Sequence, residues 1–240
     1  MSELWHSFLE TRGRIVEKWA HYFPIYERHF KRFQDTACTV VEIGCGQGGS
    51  LQMWKRYFGP NATIVGLDIN AKCKELTEPQ IEIRIGNQSD NAFLLSVLGE
   101  FGSPDIVIDD GSHQQEDVLA SFGILYPCLA TRGVYLVEDL HAAYWQEFGG
   151  REGRNGAAYT FIEKVKDLID ALHLHHQRGD FVPSVHRPLE SAEFAASTDS
   201  IHVYDSMVIL ERSPRSPPRK VVSGCFGEWR GMNVPPPSGK

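Results

Sequence analysis

Cysteine is scarce in this chain. Its five cysteines, Cys38, Cys45, Cys73, Cys128 and Cys225, are an odd number with no C-x-x-C pair, which excludes a disulfide framework and a cysteine zinc site. Long apolar runs are also missing: stretches such as Val40–Ile43 and Met207–Leu210 fall far short of the roughly 20 residues a membrane span requires. Met1–His6 has neither the basic start nor the apolar stretch of a signal peptide. No membrane partner is therefore expected, and the cytoplasm is the expected compartment. A basic surplus is absent too. The formal net charge is −7, and the residues from Arg212 onward hold six Lys/Arg against one acid, which leaves residues 1–211 at −12. An acidic body of this kind argues against a nucleic-acid partner. No internal repeat interrupts the 240 residues, a length that suits one main domain.

What is present is enough apolar material for one core, 42% of residues, beside 23% charged. Short β-rich runs at Thr39–Ile43, Ile64–Leu67, Ile81–Ile85, Ile106–Ile108 and Val134–Val137 alternate with helical windows at 48–58, 90–100, 114–123 and 158–174. That order predicts an α/β fold, a mostly parallel sheet with helices on both faces. Ser200–Arg212 reads as a last strand or a hairpin of strands. Ahead of the sheet, Leu4, Phe8, Ile15, Trp19, Tyr22, Phe23, Tyr26 and Phe30 fall at helical spacing, with Pro24 expected to end or kink the helix before it. The expected organisation is an N-terminal helical lid segment over 1–36, the main domain over 37–212, and a Pro-rich, disordered tail over 213–240.

The first strand runs straight into Gly44-Cys45-Gly46-Gln47-Gly48-Gly49-Ser50. Glycines there let the backbone approach a ligand, and the helix that follows offers free N–H groups. Gly44, Gly46 and Gly49 satisfy G-x-G-x-x-G, and Asp68 ends the next strand where a ribose hydroxyl would sit, a pattern that permits a nicotinamide or flavin cofactor. A second reading fits more residues: Glu42, two residues before the first glycine, resembles the E/D-x-G-x-G-x-G motif of class I methyltransferases, which bind S-adenosylmethionine. The loop alone does not choose between them.

Asp109, Asp110 and His113 lie at and just beyond the end of the fourth strand, and Glu138 and Asp139 just beyond the fifth. Ligands of such sheets bind outside the carboxyl ends of the strands, so these groups converge near the glycine loop. Crowded carboxylates call for a cation, and hard oxygen ligands without cysteine select Mg2+ or a similar ion. An alcohol is a poor nucleophile at neutral pH; a divalent ion lowers the pKa of such a hydroxyl, and a placed histidine can take its proton.

The segments E-I-G-x-G-x-G-G-S-L-x-M-W, G-L-D-I, G-N-Q-S-D, I-D-D-G-S-H and V-E-D-L-H-x-x-Y-W together resemble the metal-dependent sugar O-methyltransferases, across roughly residues 15–211. The 28-residue step from Asp110 to Glu138 also resembles that of the catechol methyltransferases. The resemblance implies a Rossmann-like class I methyltransferase fold with N-terminal helices, and transfer of a methyl group from S-adenosylmethionine to a sugar hydroxyl. It implies Asp110, Glu138 and Asp139 as ligands of Mg2+ (or Mn2+) and His113 as general base. The implied cofactor contacts are Glu42, Gly44, Gly46, Ser50, Asp68, Gln88 and Asp109. The mycinamicin 2''-type enzymes carry a large extra N-terminal domain that is not found in these 240 residues.

His141, Tyr144 and Trp145 follow the Glu138–Asp139 pair in a glycine-rich loop and are expected to meet the acceptor, a mannose- or rhamnose-type glycoside or oligosaccharide. A methylated polysaccharide precursor ranks ahead of an antibiotic glycoside or a catechol, and a nucleotide-dependent oxidoreductase is the alternative activity. His173, His175 and His176 read as a helix C-terminus, not a second metal site. Composition leaves a homodimer or higher homo-oligomer open.

Overall fold

The computed structural model describes residues 3–151, 158–177 and 191–221. A seven-stranded sheet runs in the order β3-β2-β1-β4-β5-β7-β6. Its strands are β1 (Thr39–Ile43), β2 (Thr63–Asp68), β3 (Ile81–Ile85), β4 (Ile106–Asp109), β5 (Val134–Val137), β6 (Thr198–Tyr204) and β7 (Met207–Arg212). The first five are parallel, with Val41 opposite Val65 and Val107, whereas β7 runs antiparallel to β5 and pairs with β6 as a hairpin. Of the two forms expected for 200–212, the hairpin is the one found. The order reverses at β1 and β4, and that switch point opens a crevice at their carboxyl ends.

Alternate residues of each strand serve opposite faces. Val40, Ile64, Ile106, Ile108, Leu136 and Ile209 pack with α1 (Glu3–Leu9), α2 (Phe23–Phe30) and α3 (Gly49–Phe58). Val41, Val65, Val107, Tyr135, Val137 and Val208 pack beneath α4 (Asn91–Phe101), α5 (Gln115–Leu125), α6 (Phe161–Leu172) and α7 (Ser191–Ser197). With apolar residues on both faces, these are strands buried on both sides.

The N-terminal segment departs from the expected helix. Pro24 stands in the first turn of α2 and begins that helix instead of ending one, because a first-turn N–H has no partner to lose and the fixed φ of proline suits it. Residues 15–19 are not helical, and Ile15 and Trp19 are 68% and 57% exposed, so they do not extend the apolar face. This irregular stretch crosses the glycine loop as a strap. In contrast, Tyr22, Phe23, Tyr26 and Phe30 are buried in the α1–α3 layer.

The start of the expected tail is tied down: the Ser213 and Arg215 N–H groups donate to the Ser197 and Ala196 carbonyls. Residues 222–240 lie outside the described residues, and with them most of that expectation. No helix among the described residues is long and apolar enough to cross a membrane.

Candidate active site

The glycine turn is shaped by close approach. Gly44 has φ +80°, and a Cβ there would run into the Asp110 carbonyl that closes the next strand end, so only glycine fits without strain. Beside it, Ile43, Gly44, Leu67, Asp68, Gln88 and Gly111 line a cavity of about 210 Å³. Asp68 is held at its rim, its Oδ2 accepting from the Gly46 N–H at 3.1 Å and its Oδ1 from the Asn70 N–H at 2.8 Å. Gln88 accepts the Ser112 N–H at 2.8 Å, which fixes the loop that follows β4.

Glu42 lies wholly buried under the loop, where Ser50 Oγ and Trp54 Nε1 donate to it at 2.8 and 3.2 Å. Burial raises its pKa, against the pull of Lys18. Both Glu42 and Ser50 therefore brace the loop from below, and Ser50 also borders a second opening shared by Gly44, Gly46 and the strap residues Ile15–Lys18.

Asp109, one of the expected cofactor contacts, lies apart from the others. It is 1% exposed and points to the α5 face, where Ser121, Tyr135 and Gln88 donate to its oxygens at 2.5, 3.2 and 3.2 Å. Period-two alternation turns it away from its neighbour Asp110. Burial raises its pKa to about 6, which suits a side chain locked in the core and not one facing the pocket.

Asp110, Glu138 and Asp139 do come together, lining a cleft of about 410 Å³ with Glu17, Lys18, Trp19, Ala20 and His141. His113 Nε2 stands 3.9 Å from Asp110 Oδ1 and 3.7 Å from Asp139 Oδ2. One ligand atom from each of these three residues lies within 4.8 Å of the others. His113 and Asp139 both have left-handed backbones, φ +57° and +50°. Such strain in non-glycine residues is held only where the surroundings over-determine it, commonly at functional sites. The hard oxygen donors of Asp110, Glu138 and Asp139 fit a divalent cation such as Mg2+, with the His113 imidazole standing beside them.

The remaining oxygens are already engaged, by residues that sequence reading did not join to this cluster. Lys18 Nζ is 2.5 Å from Asp110 Oδ2, 2.9 Å from Glu138 Oε2 and 3.7 Å from Glu42 Oε1. Burial alone would lower the Lys18 pKa, but Glu138, Asp110 and Glu42 outweigh it and hold the ammonium well above its ordinary value. The Tyr26 hydroxyl donates to Glu138 Oε1 at 2.8 Å and the Tyr22 hydroxyl to Asp139 Oδ1 at 2.7 Å. Burial raises the pKa of both phenols, keeping them protonated donors. Tyr22 and Tyr26 carry a signal, their i,i+4 spacing on one helix face; Lys18 carries none.

At the mouth of this cleft, the rings of Trp19 and Trp145 flank His141 at 6.3 and 4.6 Å. His141 Nδ1 is hydrogen-bonded to Ser206 Oγ. Tyr144 and Trp145 are half exposed, at 49% and 46%. The three expected acceptor residues thus sit on one short loop, and Trp19 joins them from the strap. His173, His175 and His176 lie at and beyond the end of α6.

Over 220 residues the chain is 36% identical to a demethylmacrocin O-methyltransferase of Streptomyces fradiae, covering 86% of this chain and 53% of that protein. It is also 36% identical, over 209 residues, to an 8-demethyl-8-alpha-L-rhamnosyl tetracenomycin-C 2'-O-methyltransferase of Streptomyces olivaceus, covering 83% and 53%. The chain is thus similar to these O-methyltransferases over most of its own length. In fold it matches MycE, a methyltransferase of the mycinamycin biosynthetic pathway solved with Mg, S-adenosylhomocysteine (SAH) and mycinamycin VI. The TM-score is 0.75 at 32% identity, with 89% of this chain and 53% of that one covered. The chain thus spans about half the length of the relatives it matches. Its sheet and flanking helices are those of a Rossmann-like class I methyltransferase. No protein-family model matches the sequence.

Proposed function

We propose that this chain is an S-adenosylmethionine-dependent O-methyltransferase that methylates a sugar hydroxyl of a glycoside. The observation that carries the reading is the meeting of His113 with Asp110 and Asp139, at 3.9 and 3.7 Å, beside a glycine loop whose Gly46 N–H is held by Asp68, the acid at the end of β2. Homology to enzymes of that activity, and the Mg and SAH bound in MycE, support the same cofactors here.

In this reading the cavity between Gly44, Asp68 and Gln88 takes the nucleoside, and the methyl donor reaches toward the cleft under the strap. The acceptor lies against Trp19, His141, Tyr144 and Trp145, whose apolar faces suit a sugar ring. His113 Nε2 takes the hydroxyl proton as the oxygen attacks the methyl carbon; the C–O bond forms, the C–S bond breaks, and its electron pair stays on sulfur. Asp110, Asp139 and Glu138 would hold Mg2+ or Mn2+, which when bound lowers the pKa of the acceptor hydroxyl. Residues 1–36 act as a lid only through the strap, since α2 is part of the core.

Calorimetry with SAH and with NAD(P), followed by a methyl-transfer panel of rhamnosides, mannosides, a methylmannose oligosaccharide, a macrolide glycoside and a catechol, tests the proposal. Saturable SAH binding, no NAD(P) binding and turnover on a sugar, abolished by chelator and restored by Mg2+ or Mn2+, are expected. NAD(P) binding would overturn the cofactor assignment. Turnover on the catechol alone would overturn the acceptor.

A further inference from the structure

The cation already inside the carboxylate cage belongs to the protein. Lys18 reaches in from the strap with its side chain only 3% exposed. It occupies Asp110 Oδ2 and Glu138 Oε2, while Tyr26 occupies Glu138 Oε1 and Tyr22 occupies Asp139 Oδ1. The oxygens left facing His113 are Asp110 Oδ1 and Asp139 Oδ2. Glu138 is the most heavily engaged of the three acids: with Lys18 docked, each of its oxygens already accepts a hydrogen bond.

The strap that carries Lys18 is fastened along the cofactor loop. The Arg14 N–H donates to Gln52 Oε1 at 3.0 Å, and the Arg14 guanidinium donates to the Leu76 carbonyl at 2.8 Å. Gly49, the first residue of α3, comes so close to the Ile15 carbonyl that a Cβ could not stand between them. Lys18 is therefore the inner end of a segment that spans the glycine loop and ends among the acids.

We propose that Lys18 is a positioning residue that occupies the cage in place of a divalent cation, and that the two compete for Glu138 Oε2 and Asp110 Oδ2. A divalent cation binds carboxylate oxygens at about 2.0–2.1 Å (Mg2+), so an ammonium held on the same oxygens would leave two positive charges side by side, and like charges repel strongly in a buried site. Binding through all three acids displaces Lys18 and frees the strap from the glycine loop. With Lys18 in place, the same acids stay aligned and the empty cage is spared the repulsion of three bare carboxylates. This inference rests on the cation site of the proposed function and adds the residue that contests it.

The test is Mn2+ titration by calorimetry, without substrate, on the full chain and on Lys18→Met, Lys18→Arg and Lys18→Met/Asp139→Asn, together with amide hydrogen exchange of residues 14–19. Lys18→Met should bind Mn2+ about tenfold more tightly or better, since it removes the competing charge, and Lys18→Arg should return the affinity toward the starting value. Asp139→Asn in the Lys18→Met background should cost that gain. In the unaltered protein Mn2+ should speed exchange across 14–19, a readout that does not depend on any variant folding. Equal or weaker Mn2+ binding by Lys18→Met, or slower exchange of the strap with Mn2+, overturns the competition while leaving the cation site standing. If no form binds Mn2+, or if binding ignores Asp139→Asn, the cation site itself falls and this inference with it.

Discussion

Tyr26→Phe isolates one hydroxyl. The ring of Tyr26 is packed edge-on to Trp54 and stacked on Phe30, at 5.1 and 5.9 Å, and phenylalanine keeps those contacts. What disappears is a 2.8 Å hydrogen bond to Glu138 Oε1 in which both residues are buried. Hydrogen bonds to charged groups contribute about 1.5–3 kcal/mol, and leaving a buried acceptor unsatisfied costs the upper end of that range. For a chain of this size each kcal/mol moves Tm by roughly 2–4 °C, so a fall of about 3–12 °C is expected. Scanning calorimetry in chelator, which keeps metal out of the cage, measures it. A double-mutant cycle with Glu138→Leu then separates the bond from general packing, with a coupling of about 1 kcal/mol or more expected between the pair. If Tyr26→Phe is neutral, or if its full cost persists in the Glu138→Leu background, the hydroxyl is not bracing the acid and the account of Glu138 is wrong.

Three further predictions bear on the loop, the base and the last strand. His113→Ala should lower turnover about a hundredfold or more with SAH affinity unchanged, whereas Asp68→Ala should weaken SAH binding first; the same kinetic pattern in both would dissolve the separation of base from cofactor site. Gly44→Ala, which must hold φ +80° against the Asp110 carbonyl, should cost about 2 kcal/mol or more and most of the SAH affinity, read by thermal melt and calorimetry. Glu211 is held down to about 2 by its bond to His29, aided by Arg32. Because that folded pKa is depressed, its contribution is present above the ordinary value of 4.5 and is lost as pH falls toward about 2. The stability gap between the protein and Glu211→Gln should therefore shrink over that window in denaturant titrations, and a gap that grew on acidification would contradict the assignment.

The strands were legible because each is a short run of β-branched and aliphatic residues stopped by turn residues, and all five parallel strands fall within a residue of where the sequence puts them. The hairpin was only half legible: alternation marks Ser200–Arg212 as β but says nothing about which neighbour it joins or in which direction. The N-terminal error has a clear cause. Ile15 and Trp19 fall in helical register with their neighbours, yet register is only a reason to fold if a surface exists to cover, and here both side chains stay 68% and 57% exposed while the backbone lies along the glycine loop.

Site residues divide in the same way. Asp110, Glu138 and Asp139 could be placed because the carboxyl ends of parallel strands form one edge whatever the details of packing. Asp109 could not, because alternation tells inside from outside only when one face is polar, and β4 is buried on both. Two adjacent aspartates then look alike in sequence, though one is locked under Ser121 and Tyr135 and the other faces the cleft. Lys18 lay further out of reach: it meets Asp110 across 92 residues and Glu138 across 120, and no local pattern records such a contact. An acid-rich strand edge announces that a cation is needed; it does not say whether that cation comes from solution or from the chain. Here the chain supplies one, on the strap that also crosses the glycine loop, and so ties the state of the acids to the position of the N-terminal segment.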